Sequence, residues 1–504
     1  MIPTGRAGVP PWLLAVSSLL LAAVLGAWVA SHPAVMRLEV GPRGLLGLAA
    51  GLALAAIVLW RPDIGLVLLV AFVYLNLSQV LVRHHRLPSL LQLLAVPLLL
   101  GAWARRSRDD LRRVLTAPVT AFLALYLLVA FVSTALARDP ALADRRVADV
   151  AKALAVFVLA ALLASSVAAT RRAVATMLAA GAVLGALAVL QVVTGGFAEE
   201  YGGLARIKYA QIYGDVFEPR IAGPLGDPNF FAQILVVLVP LALFLAKGEP
   251  GPRARALAFG AAFLVSTAAV LTYSRGGALT LACVLLLSAV VLRVPWRKAV
   301  LAALLVGIPV LAALPAGFAR RLTTLEQITP GGDERVLRPD SSFQKRRLLV
   351  AAAWRMFLDH PVLGVGAGNY TALYEPYADE VGSAAREYED PGEAQYPHSL
   401  YLEIAAETGI LGLLPFGAAL LAAFASLRRA RAAFLAAGDE PAAWLTRGFE
   451  IALAGYLVSS LFLHGHFSRY LWLLLGLATA LAYAAPPPGP AAADARVAAN
   501  GAPP

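Results

Sequence analysis

Apolar residues in this chain gather in long runs. They show neither the alternation of a half-buried strand nor the narrow stripe of a surface helix. Fourteen runs of 16–22 residues lie near 12–30, 44–60, 64–82, 88–104, 118–137, 149–168, 173–194, 230–246, 256–273, 277–292, 299–314, 410–427, 448–463 and 470–485. Each is closed by Pro, Gly or charge, and a helix of about 20 residues spans the apolar part of a bilayer. The pattern predicts an all-α integral membrane protein with about 12–14 transmembrane helices and one large outer loop. A count of twelve drops the runs near 44–60 and 88–104. The connections 195–229 and 315–397 are long, the second with 83 residues. A structureless loop of that length is rare, so helices are expected inside it. Phe343 to Asp359 has the apolar spacing of an amphipathic helix.

Composition removes the soluble alternatives. Of 504 residues, 60% are apolar and 14% charged, with mean hydropathy +0.73. A soluble surface needs nearer 25% charged residues. The lone Cys283 excludes an intrachain disulfide. A net charge of +11 would suggest nucleic acid in a soluble protein. Here the cations anchor an inner leaflet, so membrane lipids and no nucleic acid are expected as partners.

Orientation follows from the same cations. With the N-terminus inside, the inner segments hold 20 Lys and Arg and the short outer connections 9. Fourteen crossings return the C-terminus to the inside, and the first run, after Arg6, reads as an uncleaved anchor. The chain then divides into N-terminal spans (1–194), core spans (195–314), a large outer loop (315–409), C-terminal spans (410–485) and an Ala/Pro-rich tail (486–504) expected to be disordered.

All seven histidines (32, 84, 85, 360, 398, 464 and 466) fall on the outer side or its boundary, so chemistry is expected there. Three charged positions lie at span ends. Arg220 opens Arg-Ile-Ala-Gly-Pro-Leu-Gly-Asp-Pro-Asn, ending at Asn229. Arg275 sits in Tyr-Ser-Arg-Gly-Gly between two spans, and His398 in Pro-His-Ser-Leu-Tyr, followed by Ser399. An arginine at a span end often only snorkels. Outward arginine in so short a turn as that of Arg275, however, is disfavoured and marks a functional candidate. Two guanidinium groups suit a diphosphate, and a neutral imidazole can take the proton of an attacking hydroxyl. Glycosyl transfer from a lipid diphosphate needs that combination.

If residues 398–409 are helical, Glu403 lies about 140° and Glu407 about 180° around the axis from His398. They are then expected to pair within the protein or face water. Tyr401 shares the His398 face and is a supporting candidate, as are Asn229 and Ser399. Gly364-Val-Gly-Ala-Gly368 lacks nucleotide-binding spacing and reads as a tight turn before Asn369. His464-Gly-His466 shows no third ligand at useful spacing, so neither a metal nor another cofactor is expected.

These residues resemble the O-antigen ligase and polymerase superfamily. His398-Ser399, nine residues, then Gly409-Ile-Leu-Gly412 fits its H-[NSQ]-x9-G-x-x-G pattern. The Arg220 segment, the Arg275 motif and His360-Pro-Val-Leu-Gly-Val-Gly366 are similar to its other signatures, in the same order. The resemblance spans roughly residues 200–430, and the N-terminal third matches only as generic spans. It implies a metal-independent, inverting transferase of the bacterial inner membrane acting on the periplasmic face. The implied donor is an undecaprenyl-diphosphate-linked oligosaccharide or polysaccharide. The acceptor is a glycolipid, a glycan or a protein. The resemblance further implies that Arg220 and Arg275 bind the donor diphosphate and that His398 is the base. Such ligases usually have about twelve spans. A transporter of a small anion is the alternative, for which Lys152 and Glu450 are the intramembrane charges available.

Overall fold

The computed structural model describes residues 61–85, 89–105, 107–213, 216–295, 341–381 and 395–487, with Val58 and Arg297. The runs expected near 12–30 and 299–314, nearly all of that near 44–60, and the tail after 487 lie outside them. The described chain is almost wholly helical, as the apolar runs predict. Its helices are α1 (Pro62–Tyr74), α2 (Leu77–Arg83), α3 (Leu90–Arg105), α4 (Arg108–Leu115), α5 (Pro118–Ser133), α6 (Pro140–Leu163) and α7 (Val167–Thr194). A hairpin of β1 (Arg206–Tyr213) and β2 (Val216–Gly223) precedes α8 (Pro228–Gly248), α9 (Pro252–Leu271) and α10 (Arg275–Val291). Next come α11 (Ser341–Asp359), α12 (Tyr370–Val381), α13 (Leu400–Ala436), α14 (Glu440–Ser459) and α15 (Arg469–Tyr483).

Among the described residues, Pro118–Leu136, Val167–Thr194, Pro228–Gly248, Pro252–Leu271 and Leu400–Ala436 are each long and apolar enough to cross a membrane. The pair α1–α2 makes a sixth if its 59° bend lies within one span. That bend falls at Leu75–Asn76, where Asn76 is left-handed (φ 51°) and its amide donates to the Pro224 carbonyl at 3.1 Å. The broken helix thereby holds the turn that follows β2.

Helix α8 is buried nearly all round and packs on α9, α10 and α14. Its neighbours bury one face and leave Leu257, Phe263, Leu286, Leu414 and Leu421 exposed. That is a lipid-facing exterior around a packed interior. Lipid supplies no hydrophobic drive between helices, so close contact must come from shape. Gly476 of α15 sits so near α6 that an added Cβ would lie 2.5 Å from the Phe157 carbonyl. Gly277 of α10 likewise stands where a Cβ would meet Ala232 of α8 at 2.6 Å.

Outside this bundle, α11 and α12 form a second small core. Leu348, Leu349, Ala352, Ala353 and Met356 of α11 pack on Val365, Tyr370, Tyr374 and Ala406. The amphipathic helix expected over Phe343–Asp359 is thus present, and its apolar stripe docks on α13.

The junction with α13 depends on one residue. Gly409 has φ 62° and ψ −162°, a region open essentially to glycine, and it breaks α13 into residues 400–408 and 410–436. A break strands carbonyls before it and amides after it. Here the segment after His360 satisfies both. The amides of Val365 and Gly366 donate to the carbonyls of Ala406 (2.8 Å) and Glu407 (3.1 Å). Ile410 and Leu411 donate to the carbonyls of Pro361 (2.8 Å) and Val362 (3.2 Å). A side chain at 409 would collide with the Val362 carbonyl. The Gly364–Gly368 turn is tight, as its composition predicts, and all three glycines have positive φ.

Candidate functional site

The Arg220 segment explains itself residue by residue. The Asp227 carboxylate caps α8, accepting from the amides of Asn229 (2.8 Å) and Phe230 (3.1 Å), and Pro228 takes the first turn, where no amide is needed. With capping done by Asp227, the Asn229 side chain is left for other work. Its Oδ1 accepts from Ser274 Oγ at 2.8 Å and from the Arg220 guanidinium at 3.4 Å. Arg220 Nε donates to the Thr272 carbonyl at 3.1 Å.

The Arg275 motif meets it from the other side. Ser274 is the N-cap of α10, accepting from the Gly277 amide at 3.2 Å, and Arg275 is the first helical residue, with an exposed side chain. A guanidinium at the first residue opposes the positive end of the helix dipole. The start of a helix instead favours anions. Arg275 therefore sits where intrahelical electrostatics would place a carboxylate.

Asn229, Ser274, Gly276, Gly277, Phe462 and Arg346 line a small open cleft. Arg346 comes from α11, so the long connection before α13 reaches the elements that hold Arg220 and Arg275.

His398 lies in the extended segment before α13, with a left-handed φ of 47°. Its ring meets His464 edge-on at 5.5 Å, and His464 stacks on Tyr396 at 4.3 Å and meets Phe230 edge-on at 5.1 Å. Phe230 adjoins Asn229, so aromatic contacts join His398 to the arginine cluster. Buried Nδ1 atoms of His398 and His464 make no hydrogen bond. Burial, then His464, Arg346, Lys345 and Lys208, push the His398 imidazole down to about 3. Burial likewise pushes His464 down to about 4, against the opposing pull of Glu403. Both rings are neutral at neutral pH.

The helix begins at Leu400 and not at 398, so the face expected to be shared by His398 and Tyr401 does not form. Tyr401 instead donates its hydroxyl to the Leu457 carbonyl at 2.9 Å and ties α13 to α14. Ser399 is the buried N-cap residue, and its carbonyl accepts from the Glu403 amide at 2.9 Å. The Leu400 amide donates to Ser460, whose hydroxyl accepts from Gln233 of α8 at 3.1 Å. These bonds draw the start of α13 and the 460–468 loop onto α8.

Glu403 and Glu407 pair inside the protein, the first of the two outcomes their spacing allows. The Arg146 guanidinium donates to Glu403 at 2.8 Å and lies 3.7 Å from Glu407, over the Phe467 ring. Glu403 Oε2 also accepts from the Gly465 amide at 2.6 Å and bonds His466 Nδ1 at 3.0 Å. Glu403, Glu407 and His466 could together hold a metal ion, their ligand atoms all lying within 4.8 Å of one another. Local spacing offers His466 no third ligand because both carboxylates come from a helix some 60 residues earlier. Arg146 already supplies positive charge at that spot. The cluster's clear work is to pin Gly465 and so hold His464 against His398. A buried Glu pair in an apolar helix was the available signal, since buried charge demands a partner.

The charges a transporter would use are otherwise engaged. Lys152 is exposed and bonds Asp149 at 3.1 Å, and Glu450 pairs with Arg447.

Compared with curated proteins, the sequence finds no match. Residues 260–417, from within α9 to past the break at Gly409, match the family model described as O-Antigen ligase. That stretch holds the Arg275 motif and the His398 motif, so over this part of its length the chain is similar to O-antigen ligases.

Proposed function

We propose that the protein transfers a glycan from an undecaprenyl-diphosphate-linked donor to an acceptor hydroxyl on the periplasmic face of the bacterial inner membrane. The observation that carries this reading is a cleft lined by the starts of two helices and flanked by Arg220 and Arg275. His398 is linked to the Asn229 side of it through the rings of His464 and Phe230.

In this reaction Arg220 and Arg275 hold the donor diphosphate and offset the charge that grows on it. His398 accepts the acceptor's proton while the hydroxyl oxygen bonds the anomeric carbon. The bond from that carbon to the diphosphate oxygen breaks on the opposite face, so the configuration inverts, and undecaprenyl diphosphate leaves. No metal is needed for the charge balance, because the arginines supply the positive side. Asn229 sets the Arg220 guanidinium against Ser274, which makes it a positioning residue.

The test is glycan profiling of a deletion strain complemented with wild type, Arg220→Ala, Arg275→Ala or His398→Ala. Loss of a general base costs about 10²–10⁴-fold in rate. Each variant is expected to abolish one class of product: modified glycolipid, polymer or glycoprotein. The class lost names the acceptor. Full transfer by all three variants would overturn the mechanism.

A further inference from the structure

We infer that Arg346, carried into the cleft by the outer loop, is a third arginine on the donor diphosphate. The inference rests on the proposed reading of the Arg220 and Arg275 cleft.

The amphipathic pattern of α11 supplies the first observation. Its inward stripe runs through Met356, Ala352 and Ala353, and Leu349, which bury against the second core. Continued toward the start of the helix at the same spacing, the stripe reaches Lys345 and Arg346, not another apolar pair. Both are half-buried, whereas Arg347 next to them is exposed. An amphipathic helix normally turns its cations to water. Here two cations extend the buried face and the third keeps the ordinary place.

The second observation is where the stripe points. Arg346 lines the cleft with Asn229, Ser274, Gly276 and Gly277. Asn229 orients Arg220, and Gly276 and Gly277 follow Arg275 at the start of α10. Arg346 thus stands beside the elements that carry Arg220 and Arg275. A guanidinium there can pair bidentately with phosphate oxygens. Arg346 also acts on His398, since its charge is among those that keep the imidazole unprotonated. The loop helix, the diphosphate and the base then form one electrostatic unit, completed when the donor arrives.

The experiment uses the full chain in detergent and geranylgeranyl diphosphate as probe, with affinity measured for wild type, Arg346→Gln, Arg346→Lys, Arg347→Gln and Arg220→Ala. Arg346→Gln is expected to weaken binding about ten- to a hundredfold, the usual effect of losing a hydrogen bond to a charged group. Arg346→Lys recovers part of that loss, and Arg347→Gln stays within about twofold of wild type. The melting temperature without probe should be the same for all. Wild-type affinity in Arg346→Gln, with loss in Arg220→Ala, overturns the role of Arg346 and leaves the donor cleft standing. Equal losses in Arg346→Gln and Arg347→Gln would reduce the effect to general surface charge and also overturn it. If Arg346→Gln melts early and Arg346→Lys binds no better, its role is structural and the inference fails. No binding by the wild type removes the donor cleft and the inference together.

Discussion

The protein holds two clusters of arginine and histidine, built on opposite principles. In the Arg146 cluster the guanidinium is 9% exposed, and the Glu403 and Glu407 it faces are at 0% and 1%. Its charges are matched within the fold. In the cleft cluster Arg220 donates to the Thr272 carbonyl and to Asn229, and Arg275 is the exposed first residue of a helix. The first arrangement fixes a loop in place. The second concentrates positive charge beside a neutral imidazole. Residue type alone does not separate two such arginines; the neighbours the fold gives them do.

The largest expected effect tests the matched cluster. Arg146→Ala leaves two buried carboxylates without their cation, which typically costs about 3–5 kcal/mol. Melting in detergent should fall steeply and transfer should be lost with it. Arg220→Ala should melt like wild type and lose transfer alone. Equal melting losses in the two variants would erase the distinction drawn above.

A smaller effect is expected at the helix break. Gly409→Ala places a side chain against the Val362 carbonyl in a backbone region that costs about 1–3 kcal/mol. Because residues 400–408 lead back to His398, transfer should drop further than stability alone accounts for. Wild-type melting in this variant would show that the break is not held as described.

The smallest effect sharpens the comparison through pH. His398 and His464 titrate lower in the fold, near 3 and 4, than the ordinary 6.5. As pH falls below about 6.5 the unfolded chain takes up these protons first, so stability declines with acid. Melting temperature should therefore fall between pH 7 and pH 5. His464→Asn should flatten that slope, while His398 itself stays unprotonated and transfer by the wild type shows no acid limb near 6.5. An acid limb of wild-type transfer centred at 6–7 and unchanged in His464→Asn would contradict the burial of the His398 ring.

Much of this was legible in the sequence. Apolar run length fixes the fold class, and the spacing of Phe343–Asp359 finds α11. The outward arginines and His398 stand out because charge at a span end is unusual. Other features arise only from contacts between distant segments. His464 lies 66 positions from His398, and Arg146 is 257 positions from Glu403. No local periodicity links such pairs. The β1–β2 hairpin is also absent from the sequence reading, because its two eight-residue strands sit within a connection read as a loop. The break at Gly409 escaped for a subtler reason: helical periodicity continues across it, and the interruption is stabilised by backbone bonds from elsewhere.

That interruption bears on the order in which the chain is made. Residues 361–366, which bond to both sides of the break, are synthesised some 40 residues ahead of it. Bare amides and carbonyls are not tolerated in lipid. The break can therefore settle into its final form only beside a segment already made. Shortening the chain between 366 and 400 until that segment cannot reach it would leave the Ile410 and Leu411 amides and the Ala406 and Glu407 carbonyls without these partners.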